Sequence, residues 1–207
     1  MGVVLASAVA LSMIGLSGTA LARQPAPELP YDDHVPVRFE IRHFDVRGRT
    51  TRALEESLHY SGPIGFAADT QATLSTYLQF ERAGDRCRLT TIEIPVYIII
   101  RYPHWVEFER ANRQMRADWE RRMEALEEHE NGHATLAFSA AFELYETLTE
   151  FGQDADCETL NDDMQALTRS AVSALRRRNR DYDEITGHGV RQEDYDWTVV
   201  VADPAGG

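Results

Sequence analysis

The run His129-Glu130-Asn131-Gly132-His133 has the pattern H-E-x-x-H and lies in a segment patterned as a helix. Residues four apart on a helix share one face, one turn from each other. Both imidazoles can therefore address a single ion, with Glu130 beside the remaining coordination position. From Trp105 to Gly152 there is no proline, and apolar residues recur at 119, 123, 126, 136, 137, 140, 144 and 148, in steps mostly of three and four. The two histidines continue the stripe of Trp119, Met123, Leu126, Ala137, Ala140 and Leu144, so they face the core. Two His and a Glu buried together need partners, and a metal ion supplies them. The chemistry that uses this pattern is zinc-assisted hydrolysis, with two His ligands and a Glu that takes a proton from metal-bound water.

Composition narrows the classes around that motif. The chain has 207 residues, 43% of them hydrophobic and 27% charged, which suits one globular domain with a sizeable core. A formal net charge of −13, with no basic patch beyond Arg176-Arg177-Arg178 and Arg180, argues against nucleic acid or an anionic membrane as partner. The Arg run suits the C-terminal end of a helix.

Residues 1–22 carry no charge, are mostly apolar and end in Ala20-Leu21-Ala22, a small-x-small cleavage pattern. They read as a signal peptide, although the first residues lack the usual Lys or Arg. Ser7, Ser12, Gly15, Ser17 and Gly18 interrupt the apolar run and favour cleavage over anchoring. Residues 23–36 then form a flexible mature N-terminus, 37–201 a single domain and 202–207 a tail. The expected location is exported, periplasmic or secreted, with no stable membrane association after cleavage. Cys87 and Cys157, an even pair in an exported chain, favour a disulfide.

Val37 to Arg42 alternates apolar and polar, which predicts a half-buried strand. Thr50 or Thr51 can cap a short helix that Gly62-Pro63 stops. Leu74, Thr76, Leu78 and Phe80 share one strand face, Gly84-Asp85 marks a turn, and Arg86 to Arg101 is a second β-rich run ending at Pro103. Leu74–Phe80 and Leu89–Ile100 are expected to pair as an antiparallel hairpin with a bend at Pro95. The 105–152 segment is one long helix or two, and a second helix fits Glu158 to Arg178. Tyr182 to Gln192 reads as a loop, and Thr198-Val199-Val200-Val201 as a short strand.

A hydrolytic zinc site needs a third protein ligand. The metzincin spacing demands a histidine near position 139, and Ser139 stands there. Glu158 with Asp162, or His188, remain. Here the chain resembles a family of bacterial predicted secreted zinc-dependent proteases, a domain of unknown function. The resemblance spans residues 37–193. It is carried by Phe44-Asp45-Val46-Arg47-Gly48, Gly62-Pro63, Cys87, Pro103-His104-Trp105, Trp119 leading into the H-E-x-x-H run, Cys157, and Tyr182-Asp183-x-x-Thr186-x-His188-Gly189-x-x-Gln192. It implies a zinc metallopeptidase-like fold and export, and raises His188 above Glu158. Flanking glycines would let the backbone of His188 approach a crowded site.

The expectation is an α+β fold, a small antiparallel sheet in the N-terminal half packed on a zincin-like helical C-terminal half. His129, His133 and His188 would hold Zn2+, with Asp183 and Thr186 orienting His188. Glu130 is the expected general base in hydrolysis of a peptide bond, the substrate being a protein or peptide. Tyr182 or Tyr195 would donate to the oxyanion. Two alternatives stand beside this: a non-enzymatic exported protein whose metal is structural, closed by Glu158 or Asp183, and a zinc hydrolase of cell-wall peptide amides.

Overall fold

Alternation in the first hundred residues and helical periodicity in the second give an α+β fold in the computed structural model, which describes residues 29, 32–63, 67–152 and 155–197. The element order is β1 (Val37–Val46), α1 (Thr51–Ser61), β2 (Asp69–Leu74), β3 (Tyr77–Ala83), β4 (Arg86–Glu93), β5 (Val96–Trp105), α2 (Arg113–Phe151), β6 (Ala155–Asp156) and α3 (Leu160–Thr186). The expected leader, mature N-terminus up to residue 28, 198–201 strand and 202–207 tail fall outside the described residues.

The main sheet has the order β1-β5-β2 and is mixed, which corrects the expected antiparallel sheet. β1 runs parallel to β5, Val37 opposite Val96 through Val46 opposite Trp105, while β2 is antiparallel to β5. The expected hairpin is also redrawn. Leu74 ends β2, and β3 pairs with β4 around Gly84 in a second sheet that adds β6. Pro95 divides the long β-rich run, and its second half crosses to the main sheet as β5. A proline lacks the N–H that would continue the ladder, so the chain changes sheets there.

β5 is the centre of the fold. Val96, Ile98, Ile100 and Tyr102 are fully buried on the face that α2 covers. Burial of each aliphatic side chain is worth roughly 1.5–3 kcal/mol. Strand β5 continues through Pro103 to Trp105. Val96 N–H donates towards β1 and the Pro95 carbonyl accepts from Ser75 beside β2, so odd positions of β5 bond towards β2. The missing N–H of Pro103 therefore faces the region past Asp69, where β2 has not yet begun.

α2 is one unbroken helix of 39 residues, about 58 Å long at 1.5 Å per residue. Asn112 caps it by accepting from Met115 N–H at 2.9 Å, so the helix begins well after Trp105. Trp105 and Trp119 meet in a smaller cluster with Val46, Leu54 and Leu58, which seats α1. α3 runs back along α2, tied by a two-point ion pair from Arg178 to Glu143 at 2.7 and 2.8 Å. It extends to Thr186 and ends at Gly187, whose φ of 57° is the left-handed conformation that glycine adopts freely. The expected boundary at Arg178 was two turns short, and Tyr182 to Thr186 are helical.

The Cys87–Cys157 disulfide forms as expected, with Cα atoms 5.1 Å apart. It joins β4 to the segment before α3 and closes a loop of sequence separation 70. Chain-entropy arithmetic for such a loop gives about 4 kcal/mol. Cys87→Ser with Cys157→Ser is therefore expected to lower the urea unfolding free energy by about that amount, and a change under 1 kcal/mol would show that the pair does not constrain the unfolded chain.

Candidate metal centre

The middle of α2 lies between the sheet and α3, and the H-E-x-x-H run occupies that stretch. His129 and Glu130 are both 3% exposed. They point to different neighbours: His129 and His133 face α3, and Glu130 faces β2. Gly132 is the reason α3 can come so close. A Cβ there would overlap the Tyr182 hydroxyl and ring. The Tyr182 ring is fully buried, stacks on His129 at 4.8 Å and 9°, and meets His133 edge-on at 4.9 Å.

Two imidazole nitrogens converge on one carboxylate oxygen. His129 Nε2 and His133 Nε2 each lie 3.1 Å from Asp183 Oδ1. The other ring nitrogens are turned to amide and hydroxyl oxygens. His133 Nδ1 faces Asn179 Oδ1 at 2.9 Å, and His129 Nδ1 faces Gln192 Oε1 and Thr186 Oγ1, both at 3.4 Å. An Nδ1 that donates to such an oxygen leaves Nε2 with a lone pair. Two lone pairs aimed at a carboxylate oxygen repel unless a proton or cation lies between them. Donor atoms at the 2.0–2.2 Å of tetrahedral zinc ligation lie roughly 3.3 Å apart, close to the observed spacing. His129, His133 and Asp183 thus form a group that could hold a metal ion, their ligand atoms all within 4.8 Å of one another.

Electrostatics follow from this convergence. Burial alone would raise the Asp183 carboxyl, but with protons on the two Nε2 atoms, hydrogen bonds from His129 and His133, with their charges, hold it well below the usual carboxylate range. Burial alone would lower His133, but its bonds to Asp183 and Asn179 and the nearby carboxylates raise it. Glu130 is raised by burial, and the two histidines and a Thr70 hydrogen bond only partly offset that.

His188 lies at the exposed rim. It has a φ of 55° between Gly187 and Gly189, which are also left-handed. Its Nδ1 is 3.5 Å from Asp183 Oδ1 and its side chain is 57% exposed. The site therefore brings Asp183 to the two motif histidines and His188 to Asp183. Thr186, expected to orient His188, instead reaches His129 and accepts from Gly189 N–H at 3.4 Å. Glu158 and Asp162 lie at the other end of α3, about 35 Å along the helix from Asp183. They are no part of this group.

Tyr182 is not free to serve as an oxyanion donor. Its hydroxyl donates to His129 O at 3.3 Å and accepts from Gln192 Nε2. Tyr195 packs edge-on against Tyr182 at 4.7 Å. Both support the back of the site. Asn179, Gln192 and Thr70 join the group without having been expected as site residues. With the helix carried past Arg178, Asn179 lies four residues before Asp183 on one face. On the Glu130 side, Thr70 Oγ1 donates to Glu130 Oε2 at 2.7 Å. The Tyr102 hydroxyl is buried with no hydrogen-bond partner among the described residues, and its p*K*a is raised by burial and then by Glu130 and Glu127.

A family described as bacterial protein of unknown function (DUF922) matches residues 41–189, and the chain belongs to it. No curated protein and no solved structure matches the chain.

Proposed function

We propose that this member of the DUF922 family is an exported zinc metallopeptidase, with His129, His133 and Asp183 as the metal ligands and Glu130 as the general base. The observation that carries the reading is the convergence of two imidazole nitrogens on one half-buried carboxylate oxygen, with the buried carboxylate of Glu130 next in sequence to one of those histidines. Imidazole and carboxylate donors suit zinc among the available divalent ions. When bound, zinc would supply a water of lowered p*K*a and a Lewis acid for the carbonyl.

The chain's own residues do the rest. Glu130 takes the proton of the attacking water on Oε1, the oxygen that Thr70 does not hold, as the new C–O bond forms. It returns that proton to the amide nitrogen as the C–N bond breaks, leaving a carboxylate and an amine. Gln192 and Asn179 fix the ring orientations of His129 and His133.

An extended peptide suits the surroundings of Glu130. In β2 the N–H and C=O groups of Asp69, Gln71 and Thr73 turn to β5, so those of Thr70, Ala72 and Leu74 point away from it. Among the described residues no strand pairs with that outer edge. A substrate backbone can add there as a further strand, beside Glu130. The disulfide supports work in an oxidising compartment outside the cytoplasm.

A structural metal is the second reading, favoured by His188 Nδ1 near Asp183 Oδ1 as a possible fourth donor. The test is zinc content and hydrolysis of denatured casein by the wild type and by Glu130→Gln. The expected result is one zinc per chain in both, with turnover in the variant reduced at least ~1,000-fold, within the range that removal of a catalytic group produces. Equal hydrolysis by both proteins would overturn the assignment of Glu130, and zinc without any hydrolysis in the wild type would favour the structural metal.

A further inference from the structure

We propose that Thr70 is the positioning residue for Glu130, linking the open edge of β2 to the carboxylate that handles the proton; this rests on the reading of Glu130 as general base. A glutamate side chain has three rotatable bonds, and a base must be held within a fraction of an ångström of its productive place. Among the described residues the donor that reaches Glu130 is Thr70 Oγ1, at 2.7 Å from Oε2 and 3.2 Å from the main-chain oxygen. The shorter bond goes to the charged group, as charge assistance dictates. The Tyr102 hydroxyl, buried on the neighbouring strand, makes no such bond.

Thr70 is itself fixed. Its β-branch restricts χ1. Its neighbour Asp69 is locked to Arg101 on β5 by a two-point ion pair of 2.6 and 2.5 Å. Thr70 thus presents two faces from one rigid residue. Its hydroxyl turns inward to Glu130, and its main-chain N–H and C=O turn to the outer edge, with which no strand among the described residues pairs. A chain that pairs with β2 at this position lies against the residue that orients the base.

The experiment compares Thr70→Val, which keeps the shape and strand preference but removes the hydroxyl, with Thr70→Ser, which restores it. The full chain with its disulfide formed is assayed on denatured casein, with zinc content and the urea unfolding midpoint measured alongside. Thr70→Val is expected to lower kcat about 10–100-fold with KM and zinc content unchanged, in the range of a misplaced catalytic group. Thr70→Ser is expected to recover most of the loss. Wild-type rates in Thr70→Val overturn the proposal, as does a loss that tracks the unfolding midpoint and that Thr70→Ser does not recover. If Glu130→Gln abolishes hydrolysis while Thr70→Val does not, only the role of Thr70 fails. If the wild type binds zinc but hydrolyses nothing, the underlying peptidase reading fails, and Thr70 with it.

Discussion

Asp183→Ala is expected to weaken zinc binding at least ~100-fold, and His188→Ala about 10-fold, the difference between losing a ligand and losing a neighbour of one. Asp183 Oδ1 faces both motif histidines at 3.1 Å, and the Nδ1 atoms of those rings are already turned to other oxygens. Removing the carboxylate leaves two imidazoles with no third donor in the group. His188 touches the same oxygen at 3.5 Å from an exposed position, so its loss is felt through Asp183. Competition with a chromogenic chelator reads both affinities. The reverse order would restore the set of three histidines expected from the sequence, with Asp183 as their hydrogen-bonding partner. Asp183→Asn adds a control: it keeps the size and removes the charge, so affinity that survives it would assign the oxygen a hydrogen-bonding role alone.

Asp183 was not singled out by the sequence, for a reason that lies in α3. A helix that contributes to a polar cluster turns polar residues inward, so hydrophobic periodicity fails there. The run Arg176 to Thr186 contains seven charged residues, and its buried positions are Tyr182 and Thr186. The helix therefore reads as ending at Arg178 and Tyr182 onward as a loop, although no glycine or proline interrupts the run before Gly187. With the helix continued to its left-handed cap, Asn179, Asp183 and Thr186 fall on one face at steps of four and three. The H-E-x-x-H helix was legible for the opposite reason. Apolar residues flank the motif on both sides, and the histidines occupy places in the same stripe. The disulfide was legible from the cysteine count and the expected export alone.

The sheet was legible as strands but not as pairings. β1 and β5 are joined in parallel across 59 positions of sequence, Val37 to Val96, and nothing local in either strand encodes its distant partner. The antiparallel expectation came from the hairpin signal at Gly84-Asp85, which is real for β3 and β4. Pro95 was read as a bend within one strand and is in fact the place where the chain leaves one sheet for another. Thr70 was hidden because its strand was expected to start at Leu74. Its role depends on the crossing of β2 over α2, which no short-range pattern records.

Gly132→Ala is expected to destabilise the protein by about 1–3 kcal/mol and to weaken zinc binding at least ~10-fold, although alanine is the better helix former by about 1 kcal/mol. The helix preference would decide the sign at an exposed position. Here the added Cβ overlaps the Tyr182 hydroxyl and ring. Tyr182 cannot swing away. His129 stacks on one face at 4.8 Å, Tyr195 and Trp197 pack at 4.7 and 5.5 Å, and the hydroxyl bonds to His129 O and Gln192. The overlap is therefore relieved by moving α3 away from α2, and Asp183, the next residue on α3, moves with it. Binding and stability fall together for that reason. Urea unfolding and chelator competition measure the two effects. In a Tyr182→Leu background the same alanine should cost little or even stabilise, because the overlapping atoms are gone and the helix preference remains. A Gly132→Ala protein with unchanged zinc affinity and raised stability would mean that α3 does not lie this close to the motif, and the ligand assignment of Asp183 would lose its structural basis.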